Sequence, residues 1–378
     1  MRYQNILVGI SALALFACGG PSSSEAPAAA DNESSLGLTS IVEGLEFPWS
    51  LAVLPNGDML VTEREGRLNL LKDGVLTPIS GTPEAYVERQ GGYFGLVLDP
   101  DFATNRLIYM AYAKGTDDAN STAVMKATLS ADGTAITDVS TIYQADLRDT
   151  AFHFGGRLQF MNDGTLLVSL GDGFRYMDDA QTPNNTHGTI VRINADGTIP
   201  DDNPFIGVEG AKPEVYSHGH RNVQGLFVDP ATGTVFAHEH GPKGGDELNI
   251  ITAGLNYGWP VITYGVNYDG TIISKKSEED GLEQPYVKWV PSIAPSGLTL
   301  YTGDKYEGWT GDLVLGAMNG PVGQKLVRVD LEDGQIGDTH IHLADIERPI
   351  RDVVQGQDGY LYIITNELDG SIFRIDPN

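Results

Sequence analysis

The strongest constraint on the fold is a unit that keeps returning after Leu38. It is an extended run, a tight turn, a second run, another turn and a third run, with almost no helical periodicity. Its clearest copy is residues 49–54 (WSLAVL), a turn at 55–58 (PNGD), residues 59–64 (MLVTER) and residues 66–71 (GRLNLL). The pattern returns at 158–168, at 225–230 with a turn at Thr232-Gly233, and at 353–376 around Gln357-Asp358-Gly359. Repeated antiparallel units of this kind fit a β-propeller, in which each blade covers its neighbour's faces. About 340 residues at roughly 50 per blade give six or seven blades. A pair of β-sandwiches is the alternative arrangement. No Pro/Ser-rich linker after residue 38 divides the chain. Both ends of this region are strand-like, so the N-terminal strand is expected to join the C-terminal blade and remove an open edge.

The N-terminus reads differently. Residues 1–17 have a positive Arg2, a short apolar stretch from Ile6 to Phe16 and then Cys18, the pattern of a lipoprotein signal peptide. Cys18 is the only cysteine in the chain, so no internal disulfide can form, and lipidation explains it. Residues 18–37 are rich in Ser, Ala and Pro and are expected to be a flexible tether. This implies an exported cell-envelope lipoprotein, at the outer membrane facing the periplasm, touching the membrane only through its lipid. The net charge of −27 argues against nucleic acid or an anionic lipid surface as an electrostatic partner.

Three Gly-rich segments hold five of the eight histidines: residues 153–157 (HFGGR), 216–225 (YSHGHRNVQG) and 238–247 (HEHGPKGGDE). The first begins a hairpin. Asn162-Asp163-Gly164 is a type I′ turn signal, and the returning run 165–170 (TLLVSL) ends at Gly171-Asp172-Gly173. His153 and Asp172 therefore lie at the same end of one β-unit, where the carboxylate could orient the ring as a general base. Residues 174–189, 200–213 and 264–284 lack strand character, and loops of this length tend to carry function.

These segments, together with NYGWP at 256–260 and VPSIAPSG at 290–297, closely resemble the soluble PQQ-dependent glucose/sorbosone dehydrogenases, the aldose sugar dehydrogenase branch fitting best. The resemblance spans residues 38–378. It implies an all-β fold, a six-bladed β-propeller of four-stranded antiparallel blades with the site on its top face. It also implies PQQ-dependent oxidation of aldose sugars to lactones, with PQQ and Ca2+ as cofactors and a small-molecule or protein electron acceptor. By the same resemblance His153 is the catalytic base, Asp172 its support and Arg221 the contact to the quinone oxygens. Gln90, Asn222, Ser292, Arg348 and Arg351 match cofactor contacts. Gly241 and Pro242 match carbonyl ligands of the calcium on PQQ, while Glu247 and the Tyr257 backbone resemble a second calcium site.

Two positions depart from the family pattern. Pro349 stands where the first Arg of an Arg-x-Arg pair is expected, and Met318 stands where glucose-type members carry Lys, with Lys325 on the next strand. His238 and His240 suggest zinc, but no third ligand lies at diagnostic spacing. A metal-dependent lactonase propeller and a non-catalytic binding propeller are the rival functions. The preferred sugar and the oligomeric state have no signature in the sequence.

Overall fold

The computed structural model describes residues 36–332 and 334–377. The leader, Cys18 and nearly all of the tether lie outside the described residues. The described chain forms six four-stranded antiparallel sheets. In five of them the strand nearest the centre comes first in sequence, and in the sixth it is followed by two more and joined by the N-terminal strand. These inner strands are Pro48–Val53, Tyr93–Leu98, Leu158–Phe160, Val223–Val228, Pro295–Leu300 and Ile350–Gln355. Each touches the next, and the last touches the first, so the sheets close into a ring of six blades. The sixth blade is completed from the far end of the chain: Gly37–Leu45 pairs antiparallel with Gly370–Asp376, from Gly37 opposite Asp376 to Leu45 opposite Gly370. The expected closure by the N-terminal strand is present, and it pairs the edge that Gly370–Asp376 would otherwise expose.

The apolar residues sort into six buried clusters, each drawn mainly from two neighbouring blades. Leu60, Leu68, Tyr93, Met110 and Met125 fill the space between the first and second blades. Leu45, Val61, Ile364 and Ile372 seal the sixth against the first. Strands covered on both faces explain why runs such as 166–169 (LLVS) are continuously buried rather than alternating.

The turn at 162–164 is not type I′. Met161 N–H bonds Thr165 O and Gly164 N–H bonds Met161 O, while only Gly164 has positive φ, at 82°. That is a type I turn closed by a left-handed glycine, because Asn162 and Asp163 stay in the ordinary right-handed region. The same pair of bonds recurs at Leu54–Asp58, Asn194–Thr198 and Gly356–Tyr360. The long loops are largely irregular as expected; a short 3-10 turn at Met177–Gln181 interrupts the first.

At the centre, Arg157 joins four blades. Its Nη1 donates to Asp352 Oδ1 at 2.8 Å, its Nε to Gln224 O at 2.7 Å and its Nη2 to Arg351 O at 3.1 Å. The other Asp352 oxygen accepts Leu51 N–H at 3.0 Å. The guanidinium also lies over Trp49, 4.3 Å from the ring centroid. Arg157→Met is expected to lower stability by about 3–5 kcal/mol, since it leaves Asp352 buried and uncompensated. Chemical denaturation should show this loss, and the double variant Arg157→Met/Asp352→Leu should recover part of it.

Candidate active site

Strands in each blade run alternately away from and toward one end of the ring. Crossovers between blades and links from second to third strands therefore emerge together on one face. His153 lies on the crossover into the third blade and Asp172 on that blade's link between Leu166–Ser169 and Thr189–Ile193. Arg221 lies on the crossover into the fourth blade, and Gly241 and Pro242 on that blade's corresponding link. Ser292 and Arg348 occupy the next two crossovers.

His153 Nδ1 lies 2.6 Å from Asp172 Oδ1. Asp172 also accepts Trp259 Nε1–H at 2.8 Å and Phe174 N–H at 2.7 Å. Gly171 makes this approach possible: a Cβ there would stand 2.0 Å from His153 O. His153 itself has φ of 49°, and its N–H is held by Gln90 Oε1 at 2.7 Å. Nδ1 is the one ring nitrogen with a hydrogen-bond partner among the described residues, and Nε2 has none there. Burial first, then Arg221, lowers the His153 pKa below 6.5, outweighing the opposing pull of Asp172. Burial alone would raise Asp172, but His153, Arg221 and Phe174 N–H hold its carboxyl below the usual range. The ground state is thus a neutral imidazole beside a carboxylate. Nδ1 is the donor and Nε2 keeps its lone pair, which is the protonation state a general base requires.

Arg221 is set by its neighbours. His220 bonds Ser217 Oγ and Glu239 Oε1, both at 2.9 Å, and the other Glu239 oxygen accepts Arg221 N–H at 2.5 Å. The Arg221 guanidinium donates to His240 O and Gly241 O at 2.9 and 2.8 Å and lies 5.4 Å from the Trp259 ring centroid. Asn222 is buried, and its Oδ1 accepts Gly155 N–H at 3.1 Å. Arg351 joins the same centre: its Nη1 donates to Gln224 Oε1 at 2.9 Å, while its buried Nε–H finds no partner among the described residues. Burial, with Arg157 beside it, pulls Arg351 down to about 9.

Other expected contacts are placed differently. Arg348 does not join this centre; it is held by Glu367, Asp369 O and Ser371 Oγ on its own blade. No motif signals these competing acceptors, which lie about twenty residues away in the chain. Ser292 lines an open cleft of about 710 Å³ with Gly241, Pro242, Lys243 and Tyr268. Its hydroxyl, however, donates to Asp246 Oδ2 at 2.7 Å. Met318 is tied to this region through its N–H to Ile293 O and Ala294 O, and Lys325 opens the following strand. His238 and His240 use Nε2 on Gly297 O and Pro295 O at 2.7 and 2.8 Å, joining the fourth blade to the fifth.

Glu247 stands directly across the sheet from Glu239, and both line a cavity of about 10 Å³ with Gly241 and Tyr257. Burial and then Glu239 push Glu247 up to about 8. Among the described residues no cluster of three or more His, Cys, Asp or Glu side chains is arranged to hold a metal. Any calcium here would draw on backbone carbonyls as well, which suits its preference for hard oxygens.

Two supports were missed in the sequence. Trp259 holds Asp172 although it lies 87 residues away. Arg148 is buried, donates Nη1 to Gly171 O at 3.0 Å and stacks 4.6 Å over Phe154. It thereby braces the residue before Asp172 and the residue after His153. A lone Arg in an Asp-rich loop carries no motif that would reveal this.

Comparison with known proteins agrees with this fold. Residues 45–374 match the model of the glucose/sorbosone dehydrogenase family. Aldose sugar dehydrogenase YliI of Escherichia coli is 39% identical, over 88% of this chain and 91% of the relative. The crystal structure of the soluble aldose sugar dehydrogenase from E. coli in the apo form superposes with a TM-score of 0.87 at 37% identity, covering 91% of this chain and all (100%) of that one. The PQQ-bound aldose sugar dehydrogenase of Streptomyces coelicolor superposes at 0.77 with 26% identity, over 93% of this chain and 100% of that one. A ring of six blades, a His–Asp pair and an arginine on one face, and a match along nearly the whole described chain have one explanation: the chain belongs to the glucose/sorbosone dehydrogenase family of oxidoreductases.

Proposed function

We propose that the protein is a PQQ- and Ca2+-dependent aldose dehydrogenase that oxidises the anomeric carbon and yields a lactone. The observation that carries this is the neutral His153, with Nδ1 bound to Asp172 and Nε2 free, beside Arg221. Membership in a dehydrogenase family favours it over a lactonase or a binding module. The residues present fit PQQ, an anionic quinone. Arg221 and Arg351 are cationic donors at the centre, and the buried Arg351 Nε–H still lacks an acceptor. They also fit calcium: Glu247, raised to about 8 beside Glu239, would ionise fully next to a cation, with the Tyr257 carbonyl as a further oxygen ligand. Gly241 O, expected to ligate the calcium on PQQ, is taken by Arg221 in this arrangement.

When bound, PQQ would supply a two-electron acceptor for the hydride leaving the sugar, with a small-molecule or protein acceptor as the destination of the electrons. The chain's own part is proton handling and orientation. His153 Nε2 takes the proton of the anomeric hydroxyl as that carbon is oxidised, and Asp172 fixes the tautomer and stabilises the imidazolium that forms. Arg221 offers fixed positive charge where negative charge develops. A further part of the proposal is the envelope location through lipidated Cys18.

His153→Ala should keep the fold and PQQ binding while lowering kcat by about 10²-fold or more, the worth of a positioned base. Steady-state assay with a dye acceptor, after PQQ and calcium loading, measures it; parent-like turnover would remove His153 as the base. In the parent protein the acid limb of kcat/KM should have its midpoint below 6.5, because His153 must be neutral and its pKa is depressed. Asp172→Asn removes the carboxylate that raises His153, so that limb should move to still lower pH while kcat falls. Cys18→Ser should shift the protein from the membrane fraction to the soluble periplasmic fraction on cell fractionation.

A further inference from the structure

Two large aromatic side chains stand in the open beside the base. Phe174 is 50% exposed and Phe152 39%. Their ring centroids are 6.0 Å apart, and Phe174 meets the His153 ring edge-on at 5.3 Å. Isolated exposed apolar residues are common, but two adjacent rings against a catalytic side chain form a patch.

The patch is built. The two loops that carry the rings are laced together: Thr150 Oγ donates to Gly173 O at 2.8 Å, Tyr176 Oη to Asp149 Oδ1 at 2.9 Å and Arg175 Nη1 to Asp149 Oδ2 at 3.1 Å. Phe174 has φ of 68°, a left-handed conformation that is an outlier for a bulky residue. Strain of that kind persists where surrounding structure imposes it, and it gathers at functional sites. Here the constraint is visible, because Phe174 N–H is committed to Asp172 Oδ1 at 2.7 Å. The bond that supports the base also fixes the ring beside it.

Resting on the aldose reading above, we propose that Phe174 and Phe152 form an aromatic wall on which the apolar C–H face of the sugar ring stacks, making them specificity-determining residues. Phe174 adjoins His153, so a sugar whose anomeric hydroxyl meets Nε2 would bring its ring alongside the wall. The rings add apolar contact that water-exposed hydroxyls cannot supply, and they fix the distance and tilt of the reacting carbon.

The test uses full-length holoenzyme, loaded with PQQ and calcium, as parent, Phe174→Gly and Phe152→Leu. Phe174→Gly removes the ring yet suits the positive φ, so it should fold with an unchanged or raised Tm. KM for glucose should rise roughly tenfold in Phe174→Gly, the scale of a lost ring contact and its apolar area, and less in Phe152→Leu. The Kd for PQQ, from spectral titration of the apoprotein, and the KM for the dye acceptor should stay within about twofold, since the wall faces the sugar. Unchanged glucose KM in both variants would overturn the proposal. So would a rise confined to the acceptor KM or to the PQQ Kd, which would assign the rings to those partners. A parent holoenzyme that oxidises no aldose would overturn the dehydrogenase reading itself, whereas parent turnover with unaltered variant KM would overturn only the wall.

Discussion

The buried guanidinium of Arg157 is the contact on which the arrangement of blades around the site depends. It takes acceptors from the fourth and sixth blades, stacks on Trp49 of the first, and follows directly from the His153 loop that opens the third. A buried charge of this kind is costly unless every donor is satisfied. Four blades must therefore be in register before Arg157 is paid for. Arg351 shares the Trp49 ring, 5.4 Å from its centroid. Among the described residues Asp352 is the only carboxylate bonded to Arg157, and none hydrogen-bonds Arg351. The centre of the ring thus presents surplus positive charge inside a chain of net charge −27. Such local charge is the complement an anionic quinone needs, and it is set against the surface rather than following from it.

The same economy governs the His153–Asp172 pair. His153 is kept neutral by burial and by Arg221, and Asp172 is kept ionised by the very ring it orients. Burial alone would not give this pair: the Asp172 carboxyl would rise without His153 and Arg221, and His153 would fall further without Asp172. Proton affinity at Nε2 is therefore a property of the packed loops. Trp259 and Arg148 belong to this account, because they fix Asp172 and its neighbouring backbone.

Not every polar residue in a recognisable motif faces the site. His238 and His240 tie adjacent blades through backbone carbonyls, and Ser292 caps the buried Asp246. Arg348 is drawn outward to Glu367. These side chains look like their site-facing neighbours in sequence, since a motif records residue type but not which competing partner is nearest.

The sequence by itself determined the repeating strand–turn–strand units, the closing role of the N-terminal strand and the placement of His153 and Asp172 at one end of a hairpin. These follow from local rules: turn residues with permissive φ, continuous apolar runs buried on both faces, and the fixed alternation of strand direction. It also pointed to Arg221, Asn222 and Gln90, whose motifs put them on crossovers at the same face. Only the tertiary structure decided that the 162–164 turn is type I with a left-handed glycine, because twist and register choose between turns that the same residues permit. Only it assigned Arg351 rather than Arg348 to the centre, joined Trp259 and Arg148 to the His153–Asp172 pair, and set two exposed phenylalanines beside His153. Each of those outcomes depends on groups far apart in the chain meeting across a blade interface, where burial and competing hydrogen bonds, rather than local preference, select the partner.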